Sequence, residues 1–220
     1  REHPLVVDLT SLWAGPLCAH LLGRLGARVV KVESTTRPDG ARLGPPAFFE
    51  LLHAGHEAVR LDFASQRDQL RDLVASADLV LEASRPRAPR QLGLDAADIV
   101  AGGACGVSIT ARGRDSDAVG FGDDVAAAAG LVVRDRDDVL PAGDALADPL
   151  AGVAAAVAAQ EALAGEEAQL IDVSMLHVAA EAAGGEGPEH QVVRRGDEWL
   201  VEYAGGAIPV ASPRRRRAGE

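Results

Sequence analysis

One aspartate near the middle of the chain stands where its carboxylate could meet the amino terminus of a helix. Asp148 follows a glycine-containing turn within residues 140–152 and precedes Pro149 and a long alanine-rich run. Proline suits the first position of a helix, so this pattern predicts a helix over 149–163 with Asp148 as its N-cap. A carboxylate there faces free backbone N–H groups and the positive end of the helix. The simplest interpretation of this stretch alone is that Asp148 only caps the helix.

The elements that must position this carboxylate begin with a strand, a helix and a second strand. Residues 5–9 are apolar, Pro16 opens a run with leucines on one side, and residues 28–33 form another apolar stretch. This order predicts a βαβ unit with parallel strands. The glycine-rich fingerprint of dinucleotide sites is absent from the first turn, so we expect no NAD.

Further alternation extends this unit into a larger parallel α/β sheet. The pattern predicts strands at 58–62, 78–82, 106–110 and 170–174, and helices at 66–75, 94–100, 123–130 and 175–183. From Gly184 the pattern breaks into glycine, proline and charge, with one more alternating stretch at 198–203. We therefore expect one domain over 1–183 and a C-terminal segment over 184–220 with a basic tail.

Composition excludes several classes of function. The chain has 220 residues and a formal net charge of −11, which argues against nucleic-acid binding. Cys18 and Cys105 lie far apart and without metal-type spacing, which predicts reduced thiols and no metal. No apolar run reaches the length of a membrane span and no signal peptide precedes the first strand, so we expect a cytoplasmic protein without a membrane partner.

A basic loop is conspicuous in this acidic chain. Residues 85–90 carry three arginines, Arg85, Arg87 and Arg90, interspersed with two prolines. The loop is either a solvated face or a grip for the phosphates of an anionic ligand.

Several short motifs follow one another in a recognisable order. They are 7–10 (Val-Asp-Leu-Thr), 13–16 (Trp-Ala-Gly-Pro), 25–27 (Leu-Gly-Ala), 30–33 (Val-Lys-Val-Glu), 77–80 (Ala-Asp-Leu-Val), 85–86 (Arg-Pro), 92–94 (Leu-Gly-Leu), Gly143 with Asp148 and Gly152, and 170–174 (Leu-Ile-Asp-Val-Ser). Over about residues 5–183 this ordered set resembles the family III CoA-transferases, the CaiB/BaiF type. That family includes formyl-CoA transferase and α-methylacyl-CoA racemase.

The resemblance implies a fold and a reaction. It implies the Rossmann-like large domain of the family with a reduced C-terminal part, because family members are commonly longer. It also places Asp148 at the family's nucleophile. That aspartate attacks an acyl-CoA thioester to form an acyl-aspartyl anhydride, and the released CoA thiolate returns to give an aspartyl-CoA thioester. An acceptor carboxylate then takes the CoA.

The resemblance also implies ligand contacts and an assembly. The turn Leu12, Trp13 and Ala14 resembles the family's CoA-contacting turn, and Arg90 matches an arginine near CoA; Arg85 lies in the same basic loop. His56 stands where a lysine is usual, and a mostly neutral imidazole would hold a phosphate more weakly. Substrates would be an acyl-CoA and a carboxylic acid, and the protein would form a homodimer or pair with a homologue.

Two alternatives remain open at this stage. An acyl-CoA racemase needs a proton-transfer pair, but Phe121 falls where the racemase branch has its histidine. A non-catalytic subunit or scaffold would keep the sheet and partner a full-length homologue.

Overall fold

The computed structural model describes residues 2–84, 90–135, 138–184, 190–196 and 198–209. The chain divides into two compact units, Arg1–Ala183 and Gly184–Glu220. Among the described helices, none combines the length and the apolar character that crossing a membrane requires.

Strands and helices alternate along most of the larger unit. The strands are β1 (Leu5–Asp8), β2 (Arg28–Ser34), β3 (Glu57–Leu61), β4 (Leu79–Glu82), β5 (Cys105–Thr110), β6 (Val132–Asp135), β7 (Asp138–Pro141), β8 (Leu170–Ser174), β9 (His190–Arg195), β10 (Glu198–Tyr203) and β11 (Gly206–Pro209). The helices are α1 (Ala14–Arg24), α2 (Pro46–His53), α3 (Arg67–Ala75), α4 (Ala96–Ala101), α5 (Gly122–Ala128), α6 (Ala147–Ala164) and α7 (Met175–Ala183), with a 3-10 turn at Gly40–Leu43.

One six-stranded sheet organises the larger unit. Its strand order is β3-β2-β1-β4-β5-β8, and every neighbouring pair is parallel. This confirms the predicted parallel α/β sheet. The chain winds from β1 outward to β3 and then returns to place β4 beside β1. Such a reversal leaves a crevice beyond the carboxyl ends of β1 and β4, where open α/β sheets bind ligands.

Helices cover both faces of this sheet, because successive residues of a strand point to opposite sides. On one face Val6, Leu79 and Val107 pack in a core with α1, α6 and α7. On the other face Val7 and Val80 pack in a second core with α3. Buried alanines supply most of the contribution of α6 to the first core, so that helix can lie close to its neighbours.

The structure differs from the sequence-based expectation where strands are short and exposed. Within the stretch 134–138, expected as a charged turn, Arg134 and Asp135 belong to β6 and Asp138 to β7, and these two strands pair antiparallel. In the smaller unit β9, β10 and β11 form an antiparallel sheet, although only 198–203 was expected to be extended. Strands are predicted from alternating apolar residues, and exposed strands show little of this alternation. In β6 and β7 even the valines Val133 and Val139 are about half exposed.

Candidate active site at the helix amino termini

The carboxylate of Asp148 lies where the amino termini of three helices converge. Asp148 is the second residue of α6, Ala14 is the first residue of α1, and Gly122 is the first residue of α5. The backbone N–H groups of Ala14 and Gly122 lie close to the Asp148 carboxylate and lower its pKa. These N–H groups have no partner within their own helices, and each sits at the positive end of a helix dipole. The arrangement is suited to hold negative charge on one carboxylate.

Small residues in α6 bring Asp148 to the start of α1. Gly152 lies one turn after Asp148, and a Cβ added to it would stand 2.6 Å from the Ala14 carbonyl oxygen and 3.1 Å from the Leu17 Cβ. Ala151 beside it is fully buried. Only glycine permits this approach of the two backbones. Gly152, which the sequence groups with Asp148, therefore lets α1 and α6 lie close together.

Gly122 was not singled out in the sequence, yet it makes room for the carboxylate. A Cβ at this position would lie 2.2 Å from Asp148 Oδ2 and 2.6 Å from both the Cβ and the carbonyl oxygen of Ala145. The sequence signal that could have found it is a glycine at the start of a helix, where backbone approaches backbone.

The expected N-cap role of Asp148 is wrong. Helix α6 begins at Ala147, its N-cap residue is Leu146, and that cap makes no side-chain hydrogen bond. Pro149 is thus the third helical residue, which the helix tolerates because the first four N–H groups need no intrahelical partner. Asp148 consequently directs its carboxylate at α1 and α5 instead of capping its own helix.

The surroundings shift the protonation of this carboxyl group. Burial raises the pKa of Asp148 to about 6, and the charges of Asp123 and Asp124 act in the same direction. The N–H groups of Ala14 and Gly122 oppose the rise only in part. At pH 7 the group is about 90% ionised, and it is a stronger base than an ordinary aspartate. A carboxylate that is both ionised and unusually basic is suited to nucleophilic attack.

The raised pKa predicts a pH dependence of stability. Between the ordinary pKa of 3.8 and about 6, the folded chain holds a proton on Asp148 that the unfolded chain has lost. The free energy of unfolding should therefore carry a contribution that decreases as the pH rises through this window. Replacing Asp148 by asparagine removes the titration and should flatten that part of the curve. Denaturant unfolding of both proteins between pH 4 and pH 7 measures the difference; parallel curves would contradict the prediction.

The Leu12–Ala14 turn, predicted to contact CoA, leads directly into this site. Leu12 has a left-handed φ of 71°, and its N–H donates to Asp39 Oδ1 at 3.0 Å. Trp13 is the N-cap residue of α1, and its ring makes an edge-to-face contact with Phe48, with centroids 5.3 Å apart. The turn thereby presents the Ala14 N–H to Asp148.

A buried ion cluster supports that turn from below. Lys31 is 1% exposed, and its Nζ lies 3.0 Å from Asp39 Oδ2 and 3.6 Å from Asp8 Oδ2. The same ammonium group donates to the Thr10 carbonyl oxygen. Charges withdrawn from water must be paired to be tolerated, so these contacts fix the path of the chain between β1 and α1.

His56 lies away from Asp148, among other imidazoles. Its ring centroid is 5.6 Å from that of His53 and 6.4 Å from that of His20, and its Nε2 would lie 3.4 Å from a Cβ at Gly23. Burial lowers the pKa of His56. The imidazole is therefore neutral at pH 7 and offers no cation to a phosphate; its contact with CoA stays a prediction.

Arg90 borders a separate cleft at the carboxyl edge of the sheet. The cleft is lined by Leu9, Val80, Glu82, Arg90, Leu94, Ala96, Ile99 and Arg114. Leu9 and Glu82 place it at the ends of β1 and β4, where the winding direction reverses. Arg90 Nε pairs with Asp95 Oδ2 at 3.0 Å, and Arg114 pairs with Glu82 Oε1 at 3.0 Å. Arg114 is a second arginine that sequence analysis did not note, and Arg85 lies outside the described residues.

The predicted site residues are thus only partly brought together. Ala14 touches Asp148, and Leu12 and Trp13 precede it in the same turn, whereas Arg90 borders the other cleft and His56 belongs to the histidine group. Within the described ranges, no group of three or more His, Cys, Asp or Glu side chains could hold a metal ion.

Comparisons with known proteins agree with this architecture. The family model described as CoA-transferase family III matches residues 4–199. Over 92 residues the chain is 37% identical to succinyl-CoA:mesaconate CoA-transferase of Haloarcula hispanica, covering 35% of this chain and 22% of the relative. Over 229 residues it is 25% identical to succinyl-CoA–D-citramalate CoA-transferase of Chloroflexus aurantiacus, covering 94% of this chain and 56% of the relative.

A solved structure gives the same result for the fold. The crystal structure of a CaiB/BaiF family protein from Brucella suis superposes with a TM-score of 0.76 at 25% identity, over 94% of this chain and 65% of that one. This chain spans less than two thirds of the length of each of these three proteins. Because the family match extends over most of the chain and the fold agrees with it, the chain belongs to CoA-transferase family III.

Proposed function

We propose that the chain transfers CoA from an acyl-CoA to a carboxylic acid, with Asp148 as the nucleophile. The observation that carries the proposal is the convergence of two helix N–H groups, from Ala14 and Gly122, on a half-buried carboxylate whose pKa is raised to about 6. The family of the chain and the names of its relatives support the same class of reaction.

The reaction is a series of acyl transfers, in each of which one bond to a carbonyl carbon replaces another. A carboxylate oxygen of Asp148 attacks the thioester carbonyl carbon; the C–S bond breaks, and CoA leaves as a thiolate from an acyl-aspartyl anhydride. The thiolate attacks the Asp148 carbonyl and releases the donor acid as its carboxylate, leaving an aspartyl-CoA thioester. The acceptor carboxylate then attacks that thioester and displaces the thiolate. Attack of the thiolate on the new acyl group forms the product and frees Asp148.

The N–H groups have a specific part in this sequence. When the thiolate or the acceptor attacks the aspartyl carbonyl, negative charge develops on an oxygen of Asp148 itself. The N–H groups of Ala14 and Gly122 already point at that carboxyl group in the resting structure. Donors aimed in advance at a developing oxyanion lower the barrier without reorganisation, and each is worth about 10²–10³ in rate in other enzymes.

We propose that Arg90 and Arg114, which line the small cleft at the carboxyl edge of the sheet, contact the phosphates of CoA when it binds. We propose that the Leu12–Ala14 turn also contacts CoA. The resemblance to the family adds Arg85 and His56 as further proposed contacts with CoA. We propose succinyl-CoA as a donor to be tested first, since both transferase relatives above are named for it.

Phe121, the residue before Gly122, favours CoA transfer over racemisation as the function of the chain. Phe121 is the N-cap residue of α5 and is 59% exposed. Its phenyl ring cannot accept or donate the proton that racemisation next to a thioester requires.

Isotope exchange tests the proposal on the purified chain. By microscopic reversibility the free donor acid can also serve as acceptor, so labelled succinate should enter succinyl-CoA without knowledge of the natural acceptor. The rate should rise with pH through about 6 and then level off, because attack needs the ionised Asp148. A chain that binds CoA but exchanges label with none of a panel of acyl-CoA and acid pairs would instead favour the non-catalytic subunit.

A further inference from the structure

Two residues beside the candidate site hold a strained backbone. Within the part of the chain that the structure describes, Leu12 (φ 71°) and Ala145 (φ 45°) are the non-glycine residues with left-handed backbone. Leu12 lies two residues before Ala14, and Ala145 lies three residues before Asp148. Residues with a Cβ adopt this conformation only when their surroundings hold them there.

A carboxylate holds each of these strained residues by its N–H group. The Leu12 N–H donates to Asp39 Oδ1 at 3.0 Å, and the Ala145 N–H donates to Asp123 Oδ1 at 2.8 Å. Asp39 is buried within the Lys31 cluster, whereas Asp123 is exposed on the first turn of α5. The left-handed residue in the turn before α1 and the one before α6 are therefore both held by a hydrogen bond to a carboxylate.

The contact between Asp123 and Ala145 closes a ring of contacts around Asp148. The Ala145 carbonyl accepts the Asp148 N–H at 2.9 Å, and the Gly122 N–H lies close to the Asp148 carboxylate and lowers its pKa. Gly122 is followed directly by Asp123, whose carboxylate returns to the Ala145 N–H. The first turn of α5 thus contacts Asp148 in two ways. Gly122 lies against the Asp148 side chain, and Asp123 holds Ala145, whose carbonyl accepts the Asp148 N–H.

We propose that Asp123 is a positioning residue for the transfer reaction, which fixes Asp148 between its N–H donors by holding Ala145. The inference rests on the proposed function of Asp148. The neighbouring Asp124 has a different task, because its Oδ1 accepts the Phe121 N–H at 2.6 Å within the first turn of α5. Asp123 positions Asp148 through an accepted hydrogen bond, which an asparagine oxygen can also accept, whereas its charge separately raises the pKa of Asp148.

Paired substitutions separate this role from a general effect on folding. Asp123→Ala should lower kcat about 10- to 100-fold with little change in KM, since a displacement of about 1 Å at a reacting group has an effect of that size. Asp123→Asn should restore kcat to within about threefold of wild type, because it keeps the acceptor. Asp62→Ala is the matched control: Asp62 accepts the Ala64 N–H at 3.0 Å next to β3, and its loss should not change kcat.

A glycine at position 145 provides a second test. Ala145→Gly relieves the strain, so Asp123→Ala should lower kcat less in that background than in wild type. The proposal would be overturned if Asp123→Ala retained full kcat, or if Asp123→Asn lost as much as Asp123→Ala.

Backbone hydrogen exchange keeps the test independent of turnover. Asp123→Ala should speed exchange of the Ala145 and Asp148 amide protons, whereas Asp62→Ala should leave them unchanged. Unchanged exchange rates in Asp123→Ala would refute the positioning role even if the chain proved inactive. Faster exchange in Asp123→Ala, together with a wild-type chain that transfers no CoA, would refute the proposed function alone.

Discussion

Asp148→Asn is expected to lower the rate of CoA transfer at least about 10⁴-fold, as loss of a covalent nucleophile does in other enzymes. An amide cannot form the anhydride, so neither half of the reaction can begin. The substitution keeps the shape of the side chain and an oxygen that can accept the N–H groups of Ala14 and Gly122. Isotope exchange between succinyl-CoA and labelled succinate, with circular dichroism on the same samples, measures activity and fold together.

A neighbouring aspartate provides the control for this substitution. Asp144 lies four residues before Asp148, is exposed, and precedes the start of α6. Asp144→Asn removes one negative charge from the same stretch and should keep activity. Full activity in Asp148→Asn would end the account of Asp148 as nucleophile.

Gly122→Ala is expected to have the second-largest effect, on both activity and stability. The new methyl group would lie 2.2 Å from Asp148 Oδ2 and 2.6 Å from the Ala145 carbonyl oxygen, so the carboxylate and the preceding loop must move. We expect a loss of about 100-fold in transfer rate, as for other small displacements of reacting groups. Overpacking of this kind also lowers the free energy of unfolding by about 1–3 kcal/mol.

The backbone of Gly122 sharpens this prediction. Gly122 does not have a left-handed φ, so alanine fits its backbone and would by propensity favour α5. Any loss therefore comes from the contacts with Asp148 and Ala145. Gly44→Ala is the matched control, because a Cβ there meets its nearest atom, the Ala41 carbonyl oxygen, at an ordinary 3.5 Å. A Gly122→Ala protein as stable and active as the Gly44→Ala protein would contradict the geometry of the site.

Sequence pattern was sufficient for the parallel sheet, and it singled out Asp148 as a candidate. The buried parallel strands carry continuous apolar runs, as Val6 and Val7 show, and their alternation with helices predicts parallel strands but not the strand order. Asp148 could be singled out because a proline and a long alanine run follow it. The cap assignment was wrong because the pattern does not tell which residue of the first turn begins the helix.

The partners of Asp148 could not be found in the same way. Ala14, Gly122 and Asp148 are far apart in the chain, and only the packing of α1, α5 and α6 brings them together. The left-handed backbone of Leu12 and Ala145 leaves no trace in residue type, since neither is a glycine. His56 stays a predicted CoA contact; the sequence indicated a mostly neutral imidazole, but not the burial that lowers its pKa further.

Trapping the covalent intermediate on Asp148 tests the central claim most directly. The chain would be incubated with acyl-CoA and treated with hydroxylamine, which converts an aspartyl anhydride or thioester into a hydroxamate. Mass spectrometry of the proteolytic peptides should then find the hydroxamate on Asp148, only when acyl-CoA was present, and never in Asp148→Asn. A chain that transfers CoA without modification of Asp148, or that carries the adduct on another residue, would contradict the account.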